Sequence, residues 1–437
     1  MRVLMFGWEF PPYISGGLGT ACYGITKGLK TNGVDVLFVV PTRRKKGIAD
    51  EFNVLGADEV QLSEKEIPLI GKYQSIFKLA EIIGVPLPSI ISPYYTSGFG
   101  VKEKNLFKKS GKLSSFYEKL LSGGSLLEFT GNYDHNLMRE VNEYGIVGGI
   151  LGLRENFDVI HAHDWMTFMG AINAKKVSGK PLVVHVHATE FDRSGENMNN
   201  VVYNIEKFGL ENADRIIAVS YYTKNIITRY YQINPDKIEV VHNAIDRRSE
   251  FERYREKKNF DEKIVLSLGR ITMQKGPEYY IEAANLVLKK IKNVRFVMAG
   301  SGDMMSRMVT RMARLKIANK FHFTGFLRGD DVEKMYAMSD LYVMPSVSEP
   351  FGLTAFEALM YDVPVIISKQ SGVAEVLRNA VTVDFWDVKK LASTIIALLR
   401  NDKLSKNIVD RCKDELKSVG WNSAGAKIKN IYRSLGG

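Results

Sequence analysis

The stretch DLYVMPSVSEPFGLTAFEALMYDVPVIIS, residues 340–368, predicts a strand, a loop, a helix and a second strand. The runs at its two ends are short and nearly continuously apolar, which is typical of parallel strands that are covered on both faces. In this arrangement Glu349 lies in the loop at the carboxyl edge of the sheet, and Glu357 lies one turn into the helix. Two carboxylates on either side of a helix N-terminus indicate a ligand that carries both hydroxyl and phosphate groups.

The same alternation of strands and helices extends over most of the chain and occurs in two series. Strands are predicted at 2–6, 34–40, 157–163, 181–187, 214–220 and 237–243 in the first series, and at 264–270, 294–300, 320–325, 340–346 and 363–368 in the second. Two such series predict two doubly wound, Rossmann-like α/β domains that face each other across a cleft. The stretch 42–150 is less regular and is interpreted as long insertions with helices.

A densely charged segment, 244–263, separates the two series and is interpreted as a linker region. The predicted N-terminal domain covers 1–243, and the predicted C-terminal domain covers 264–418. A last amphipathic helix is predicted within 419–437.

The composition favours a globular enzyme that binds small anions. Of the 437 residues, 45% are apolar and 25% are charged, and the formal net charge is +11. Positive charge attracts nucleotides and phosphates. The basic residues are not gathered in one arm and no nucleic-acid-binding motif is present, so no nucleic-acid partner is expected. No apolar run approaches the ~20 residues that span a bilayer, so no membrane partner is expected.

The two cysteines, Cys22 and Cys412, lie far apart in the sequence. They provide neither a disulfide framework nor a metal-ligand spacing, which favours a cytoplasmic enzyme. Few cysteines and glutamines beside many lysines are a weak indication of a thermophilic source.

Loops that follow the strands contain the candidate site residues, because open α/β sheets bind ligands outside the carboxyl ends of their strands. After the first strand, Gly16 and Gly17 precede a helix. Glycine lets the backbone approach a ligand closely, and a helix N-terminus favours an anion. A purely structural glycine turn is equally compatible with this pattern.

Histidines follow two further strands of the first series. In HAHDW, His163, Asp164 and Trp165 could hold a sugar by hydrogen bonds and ring stacking, whereas Asp164 could instead cap the following helix. Alternation along 181–187 places His185 and His187 on one face. His187 is at the strand end and is the better candidate for the cleft, although a lone histidine is more often structural.

Two cations follow the first strand of the second series. Arg270 and Lys275 lie in the loop GRITMQKG before a helix and together can grip a diphosphate. Isolated surface charges are the alternative interpretation. Because a surface lysine rarely supports a core, replacing Lys275 by alanine is expected to lower turnover with little effect on folding.

The opening stretch completes a predicted nucleotide-sugar site. Gly352, Leu353 and Thr354 would offer backbone N–H groups to a phosphate at the helix N-terminus. Glu349 and Glu357 would hydrogen-bond the hydroxyls of the sugar and of the ribose. The chain contains no Asp-x-Asp sequence, so no metal bound by that motif is expected, and cations and helix dipoles would stabilise the diphosphate.

Five motifs in order carry a resemblance to a known family: EFPPYISGGLG (9–19), HAHDW (161–165), HATEFDRSG (187–195), GRITMQKG (269–276) and SEPFGLTAFE (348–357). With these motifs the chain resembles the glycogen and starch synthases, which are retaining glycosyltransferases with the GT-B fold. The resemblance implies transfer of glucose from ADP-glucose or UDP-glucose to the non-reducing end of an α-1,4-glucan. It also implies retention of configuration and neither a metal nor another cofactor.

The resemblance implies a role for each candidate residue. Arg270 and Lys275 would contact the donor phosphates, Glu349 the sugar and Glu357 the ribose, with His187 beside the reacting sugar. The donor site would be completed by Gly16, Gly17, Gly352, Leu353 and Thr354, and the acceptor side would hold His163, Asp164 and Trp165. The last helix would return to the N-terminal domain.

Three positions depart from the family pattern. The family carries a lysine near the donor phosphate where this chain has Ile14, and an aspartate where it has Thr20. Phe351 occupies a position where the bacterial enzymes often have cysteine. These departures leave nucleotide preference and acceptor binding open.

Three other functions are compatible with the sequence. They are a retaining GT-B transferase with another acceptor, a nucleotide-sugar epimerase on the same fold, and a non-catalytic protein that binds a glucan or a nucleotide. Elongation of maltooligosaccharides would distinguish a glucan synthase from the first, and an epimerase would need no acceptor. The combination of Arg270, Lys275 and Glu349 argues against a protein that only binds.

Overall fold

The computed structural model describes residues 1–12, 16–43, 51–61, 63, 66, 126–133, 136–246, 258 and 260–436. These residues form two separate parallel sheets, each with its own hydrophobic packing. The prediction of two Rossmann-like domains is confirmed. Ile14 and most of the predicted insertions and linker lie outside the described residues.

The N-terminal sheet has seven parallel strands in the order β3-β2-β1-β4-β5-β6-β7. Its strands are β1 (Arg2–Phe6), β2 (Asp35–Val40), β3 (Asn53–Gly56), β4 (Val159–His163), β5 (Leu182–Val186), β6 (Arg215–Ala218) and β7 (Ile238–Val240). The strand order reverses at β1, which pairs with both β2 and β4. A crevice opens at the carboxyl edge of such a reversal, which is where doubly wound sheets bind ligands.

The described helices of this domain are α1 (Gly17–Thr31), α2 (Leu137–Arg154), α3 (Trp165–Ser178), α4 (Glu190–Ser194), α5 (Asn200–Asn212) and α6 (Tyr221–Tyr231). Polar caps determine where several of them begin, because a side-chain oxygen satisfies an otherwise unpaired backbone N–H group. The Ser220 hydroxyl accepts from the N–H of Thr223 at the start of α6. Thr189 accepts from the N–H of Asp192 at the start of α4.

The C-terminal sheet has six parallel strands in the order β10-β9-β8-β11-β12-β13. Its strands are β8 (Lys263–Leu268), β9 (Val294–Ala299), β10 (Phe321–Gly325), β11 (Leu341–Met344), β12 (Val365–Ser368) and β13 (Val381–Val383). Its described helices are α7 (Pro277–Leu288), α8 (Met305–Leu315), α9 (Asp330–Ala337), α10 (Leu353–Met360), α11 (Val388–Arg400) and α12 (Asp402–Leu416). The order reverses at β8, which pairs with β9 and β11, so the loops after β8 and β11 share one edge.

The last described helix, α13 (Trp421–Ser434), crosses back to the N-terminal domain and packs on α1. Glycines in α1 allow the two helices to approach closely. A Cβ on Gly24 would lie 2.0 Å from Cε2 of Trp421, and a Cβ on Gly28 would lie 2.0 Å from the carbonyl oxygen of Trp421. The hydroxyl of Tyr432 is buried against Nδ1 of His161 in β4. The core of the N-terminal domain therefore contains residues from both ends of the described chain.

Several elements differ from the predicted ones. Helix α1 begins at Gly17, so this glycine is the first residue of the helix and does not precede it, as the sequence had suggested. The short strands β3 and β13 and the helices α4 and α5 were not predicted, since they are brief or polar. Among the described residues, no helix has both the length and the apolar character needed to cross a bilayer.

Candidate active site

An ion pair between Lys275 and Glu349 lies at the carboxyl edge of the C-terminal sheet. Nζ of Lys275 donates to Oε2 of Glu349 at 2.6 Å, and the Ser346 hydroxyl donates to the same oxygen at 3.0 Å. The Glu349 side chain is 8% exposed and the Lys275 side chain 28%. The carboxylate is thus held in a largely dry position, with a cation that reaches toward solvent.

The backbone around Glu349 is fixed by an isolated bridge to the loop after β12. The Glu349 N–H donates to the carbonyl of Gln370 at 2.9 Å, and the Gly372 N–H donates to the carbonyl of Glu349 at 2.9 Å. These two hydrogen bonds fix the backbone of Glu349, while the bonds from Lys275 and Ser346 hold its carboxylate.

Arg270 contributes a second cation to the same place. Arg270, Lys275, Glu349 and Thr354 line one small pocket, together with the ends of β8 and β11. The loop that carries the two cations is held close to β11 at Gly276, which has φ +64°, and a Cβ there would lie 2.1 Å from the carbonyl oxygen of Pro345. Only glycine satisfies both the positive φ and the close approach.

The N-terminus of α10 opens beside this pocket. Its N-cap residue, Gly352, has φ +107° and no side-chain cap, and a Cβ there would lie 3.2 Å from Cγ of Glu349. The Thr354 hydroxyl accepts from the Tyr342 hydroxyl at 2.7 Å, which leaves the first N–H groups of α10 available to an anion. From the other domain, a Cβ on Gly17 would lie 3.9 Å from Cδ1 of Leu353, so the glycine-rich turn borders the cleft.

Glu357 lies one turn further along α10 and is half-buried. The Tyr336 hydroxyl donates to Oε2 of Glu357 at 2.9 Å. Burial raises the pKa of the Glu357 carboxyl, while the hydrogen bond from Tyr336 acts in the opposite direction. Glu357 does not line the pocket around Arg270 and Glu349, so the two carboxylates occupy separate positions on the same edge.

His187 follows β5 on the N-terminal side. Its Nε2 lies 2.9 Å from Nδ1 of His163, and its backbone N–H donates to Oδ1 of Asp164 at 2.7 Å. Its ring stacks on that of His185 with centroids 4.4 Å apart. The HAHDW motif therefore orients His187 through both its ring and its backbone.

The three residues of that motif that were expected to hold a sugar are placed differently from the predicted arrangement, and His163 is fully buried. Trp165 is 1% exposed and packs in the N-terminal core, because it begins α3 with its ring directed inward, so no sugar can stack on it in this structure. Asp164 occupies the N-cap position of α3, but its side chain does not cap that helix. It accepts from the N–H groups of His187 and Ala188 instead, and burial raises its pKa to about 7.

Polar contacts between the two domains involve residues that the sequence did not single out. The Ser348 hydroxyl donates to Oδ1 of Asp192 and lies 3.0 Å from the hydroxyl of Tyr222. The Ser220 hydroxyl donates to the carbonyl of Pro350 at 2.6 Å. The contact of Ser348 with Asp192 joins HATEFDRSG to SEPFGLTAFE, whereas Ser220 and Tyr222 contact the second motif from the start of α6.

A second contact between the domains is centred on Glu375, in the loop after β12. Its carboxylate accepts from the N–H groups of Tyr221 at 2.9 Å and Tyr222 at 2.7 Å, at the N-terminus of α6. Nε2 of His242 lies 2.7 Å from Oε2 of the same carboxylate. A carboxylate at a helix N-terminus is favourably placed in the field of that helix.

Two sequence families match this chain. Residues 249–414 match the family described as glycosyl transferases group 1, and residues 150–249 match glycosyltransferase family 4. Together with the two facing Rossmann-like domains, these matches identify the protein as a GT-B glycosyltransferase.

Relatives of several kinds share the full length of the chain. It is 28% identical to an uncharacterized glycosyltransferase of Methanocaldococcus jannaschii, over 99% of this chain and 98% of that protein. It is 24% identical to a glycogen synthase of Mycobacterium tuberculosis, over 99% of this chain and 94% of that protein. The structure of sucrose-phosphate synthase from Thermosynechococcus elongatus is similar in fold, with a TM-score of 0.69, 15% identity and coverage of 99% and 98%.

Proposed function

We propose that this glycosyltransferase moves glucose from ADP-glucose or UDP-glucose to the non-reducing end of an α-1,4-glucan, with retention of configuration. The observation that carries the proposal is the pocket in which Arg270, Lys275 and Glu349 meet beside the uncapped start of α10. Two cations, a helix N-terminus and a desolvated carboxylate match a diphosphate that carries a sugar.

The donor would be held from both ends. Arg270, Lys275 and the N–H groups of Leu353 and Thr354 would contact the diphosphate. Glu349 would accept hydrogen bonds from the sugar hydroxyls, and Glu357 from the ribose. Because Lys275 is paired with Glu349 before the donor arrives, both side chains would be oriented in advance, which lowers the entropic cost of binding.

The reaction breaks the bond between the anomeric carbon and the diphosphate oxygen, whose electron pair leaves with the nucleoside diphosphate. The acceptor hydroxyl forms the new bond on the same face, and its proton passes to the departing diphosphate. Positive side chains and N–H dipoles would stabilise the negative charge that develops there. Among the described residues, Glu349 is the only carboxylate that lines the pocket, and it is paired with Lys275, which disfavours a covalent mechanism that needs two flanking carboxylates.

The acceptor is supported less directly than the donor. The similarity to a glycogen synthase favours a glucan. The burial of Trp165 removes one surface on which a glucan was expected to stack. This favours a second candidate function, a retaining transferase with another acceptor. A nucleotide-sugar epimerase would use the same donor pocket without any acceptor.

The proposal also includes independence from metal cofactors and a cytoplasmic location. Two side-chain cations beside the diphosphate position supply charge that a metal supplies in other transferases. Both cysteines are unpaired and buried, which fits a reducing compartment.

The test is release of nucleoside diphosphate from ADP-glucose and from UDP-glucose, with and without maltooligosaccharides, in the presence of a chelator. We expect release that depends on the acceptor and products that are longer by glucose units. Release that needs another acceptor would favour the second candidate, and conversion of the donor without an acceptor would favour the epimerase. Lys275→Ala should reduce release by about 100-fold or more, whereas Lys413→Ala, which removes a half-buried lysine of the same domain that pairs with Asp362, should not.

A further inference from the structure

Four histidines, His161, His163, His185 and His187, gather toward the carboxyl ends of β4 and β5, and none of them is needed to hold the donor diphosphate in the proposed reaction. The ring centroids of His185 and His187 are 4.4 Å apart, and those of His161 and His185 are 5.4 Å apart. Three further pairs of these rings have separations between these two values. Cys22, in the middle of α1, faces the same cluster. One donor atom each of Cys22, His163 and His187 lies within 4.8 Å of the others.

Several ring nitrogens of these histidines make no hydrogen bond within the described part of the chain. Nε2 of His163 and Nδ1 of His187 are buried and have no hydrogen-bond partner there, and the same holds for both ring nitrogens of His185. Cys22 is fully buried. A buried polar atom without a partner is rare and costs stability, so a cluster of them indicates an unfilled role.

A carboxylate beside the cluster suits a cation. Oδ1 of Asp164 accepts from the backbone N–H of His187 at 2.7 Å, so this carboxylate lies next to one of the donor residues. A neutral imidazole offers a lone pair on one ring nitrogen, and a nearby carboxylate favours a divalent ion bound there.

We propose that Cys22, His163 and His187 form a binding site for a borderline-soft divalent metal, with Zn²⁺ as the expected ion, and that its occupation inhibits the enzyme. One sulfur and two imidazole nitrogens are the donors that Zn²⁺ prefers, whereas Mg²⁺ prefers oxygen. Ligands around a tetrahedral Zn²⁺ lie roughly 3.5 Å apart, so small side-chain rotations would bring the three donors into place. The fourth position remains for water on the side of His187, which is only partly buried.

A second group in the cluster, of three histidines, is less suitable for binding a metal ion. Donor atoms of His161, His163 and His185 also lie within 4.8 Å of one another. The rings of these three residues are inclined by only 22–32°, and the lone pair of a ring nitrogen lies in the ring plane, so stacked rings do not direct their lone pairs to one point. His163 and His187 instead approach through their ring edges, at 2.9 Å.

Binding would direct one ring nitrogen of each histidine to the ion, and the thiol proton of Cys22 would pass to water. His187, which the family resemblance places beside the reacting sugar, would then be held by the ion and withdrawn from the sugar. The inhibition therefore rests on the proposed function, whereas the metal site itself does not.

The direct test is a titration of the full-length protein with Co²⁺, followed by its thiolate-to-cobalt charge-transfer absorption. We expect one ion per chain with a band that Cys22→Ser abolishes. Cys412→Ser, which alters the other buried cysteine, should keep the band. Because Cys22→Ser could disturb the packing of α1, His163→Gln provides a second variant, in which Co²⁺ should bind about tenfold or more weakly. Absence of the band, or its persistence in Cys22→Ser, would overturn the site.

A separate measurement tests the consequence for turnover. Zn²⁺ at one equivalent should reduce nucleoside diphosphate release, a chelator should restore it, and Mg²⁺ should have no effect. Binding of Co²⁺ with undiminished release in the presence of Zn²⁺ would overturn the inhibition while leaving the metal site. A protein that binds Co²⁺ but releases no nucleoside diphosphate under any condition would contradict the proposed function instead.

Discussion

Nζ of Lys275 lies 2.6 Å from Oε2 of Glu349, so the residue expected to hold the donor phosphate is bonded to the residue expected to hold the donor sugar. Glu349 is largely buried, and Ser346 gives it one further hydrogen bond. The pair connects binding of the sugar with binding of the diphosphate, since a change in one partner alters the charge felt by the other.

Lys275→Ala is expected to reduce turnover by about 100-fold or more, because it removes a cation from the departing diphosphate. The sequence alone predicted little effect on folding. The ion pair changes this expectation: a largely buried carboxylate would lose its cation, at a cost of about 1–3 kcal/mol. Steady-state kinetics and urea unfolding would measure the two effects. Lys413→Ala is the control, and a Lys275→Ala enzyme with normal turnover would remove this lysine from the site.

The two carboxylates of the donor site should affect nucleotide binding differently. Glu357→Ala should weaken the binding of ADP or UDP by about tenfold, since a hydrogen bond to a charged group contributes about 1.5–3 kcal/mol. Glu349→Ala should leave that affinity equal or higher, because Lys275 is then free to pair with the diphosphate. Isothermal titration calorimetry would measure both, with Glu278→Ala as a control on α7. Equal losses in the two variants would contradict the assignment of Glu357 to the ribose.

Glu143 in α2 should make the protein less stable as the pH rises. Burial raises the pKa of Glu143 to about 7 from its usual 4.5; the charge of Arg139 opposes this shift, and the neighbouring carboxylates of Glu140 and Glu128 add to it. The folded chain therefore holds this proton more tightly than the unfolded chain, and stability is lost as the pH rises from about 4.5 to about 7. Glu143→Gln should gain up to about 3 kcal/mol relative to the parent between pH 4.5 and pH 8, as measured by urea unfolding. A difference between the two proteins that does not change with pH would contradict the prediction.

The contact between α1 and α13 should not tolerate a methyl group. Gly28→Ala would place Cβ against the carbonyl oxygen of Trp421, and overpacking of this kind costs about 1–3 kcal/mol. The exposed Thr31→Ala on the same helix should be nearly neutral. Thermal unfolding of both variants would measure the difference, and equal melting temperatures would show that the helices can separate without cost.

Glu375→Ala should loosen the two domains relative to each other. The substitution removes the acceptor for the N–H groups of Tyr221 and Tyr222 and the partner of His242. We expect a larger radius of gyration by small-angle scattering, and a KM for the donor that rises more than kcat falls. Glu278→Ala again provides a control within one domain. An unchanged radius would indicate that the contact does not hold the domains together.

The sequence predicted the fold well because strands buried on both faces are continuous apolar runs. It predicted less of the geometry within the site. Motif spacing placed Lys275 and Glu349 on one edge, but a separation of 74 residues does not reveal that they bond. Trp165 was expected in the cleft, yet the start of α3 directs its ring into the core. The partnership of Ser348 with Asp192 depends on how two domains meet, which local patterns do not encode. A thermophilic source stays a prediction.

The return of α13 to the first domain also affects how the protein is made. Trp421 and Tyr432 belong to the core around β1 and β4, although they are translated more than four hundred residues after β1 and more than 250 residues after β4. A ribosome therefore finishes nearly the whole C-terminal domain before the N-terminal core can close. During that interval the surface of α1 that Trp421 later covers is exposed, so a nascent chain that stalls early presents an apolar groove to chaperones and proteases.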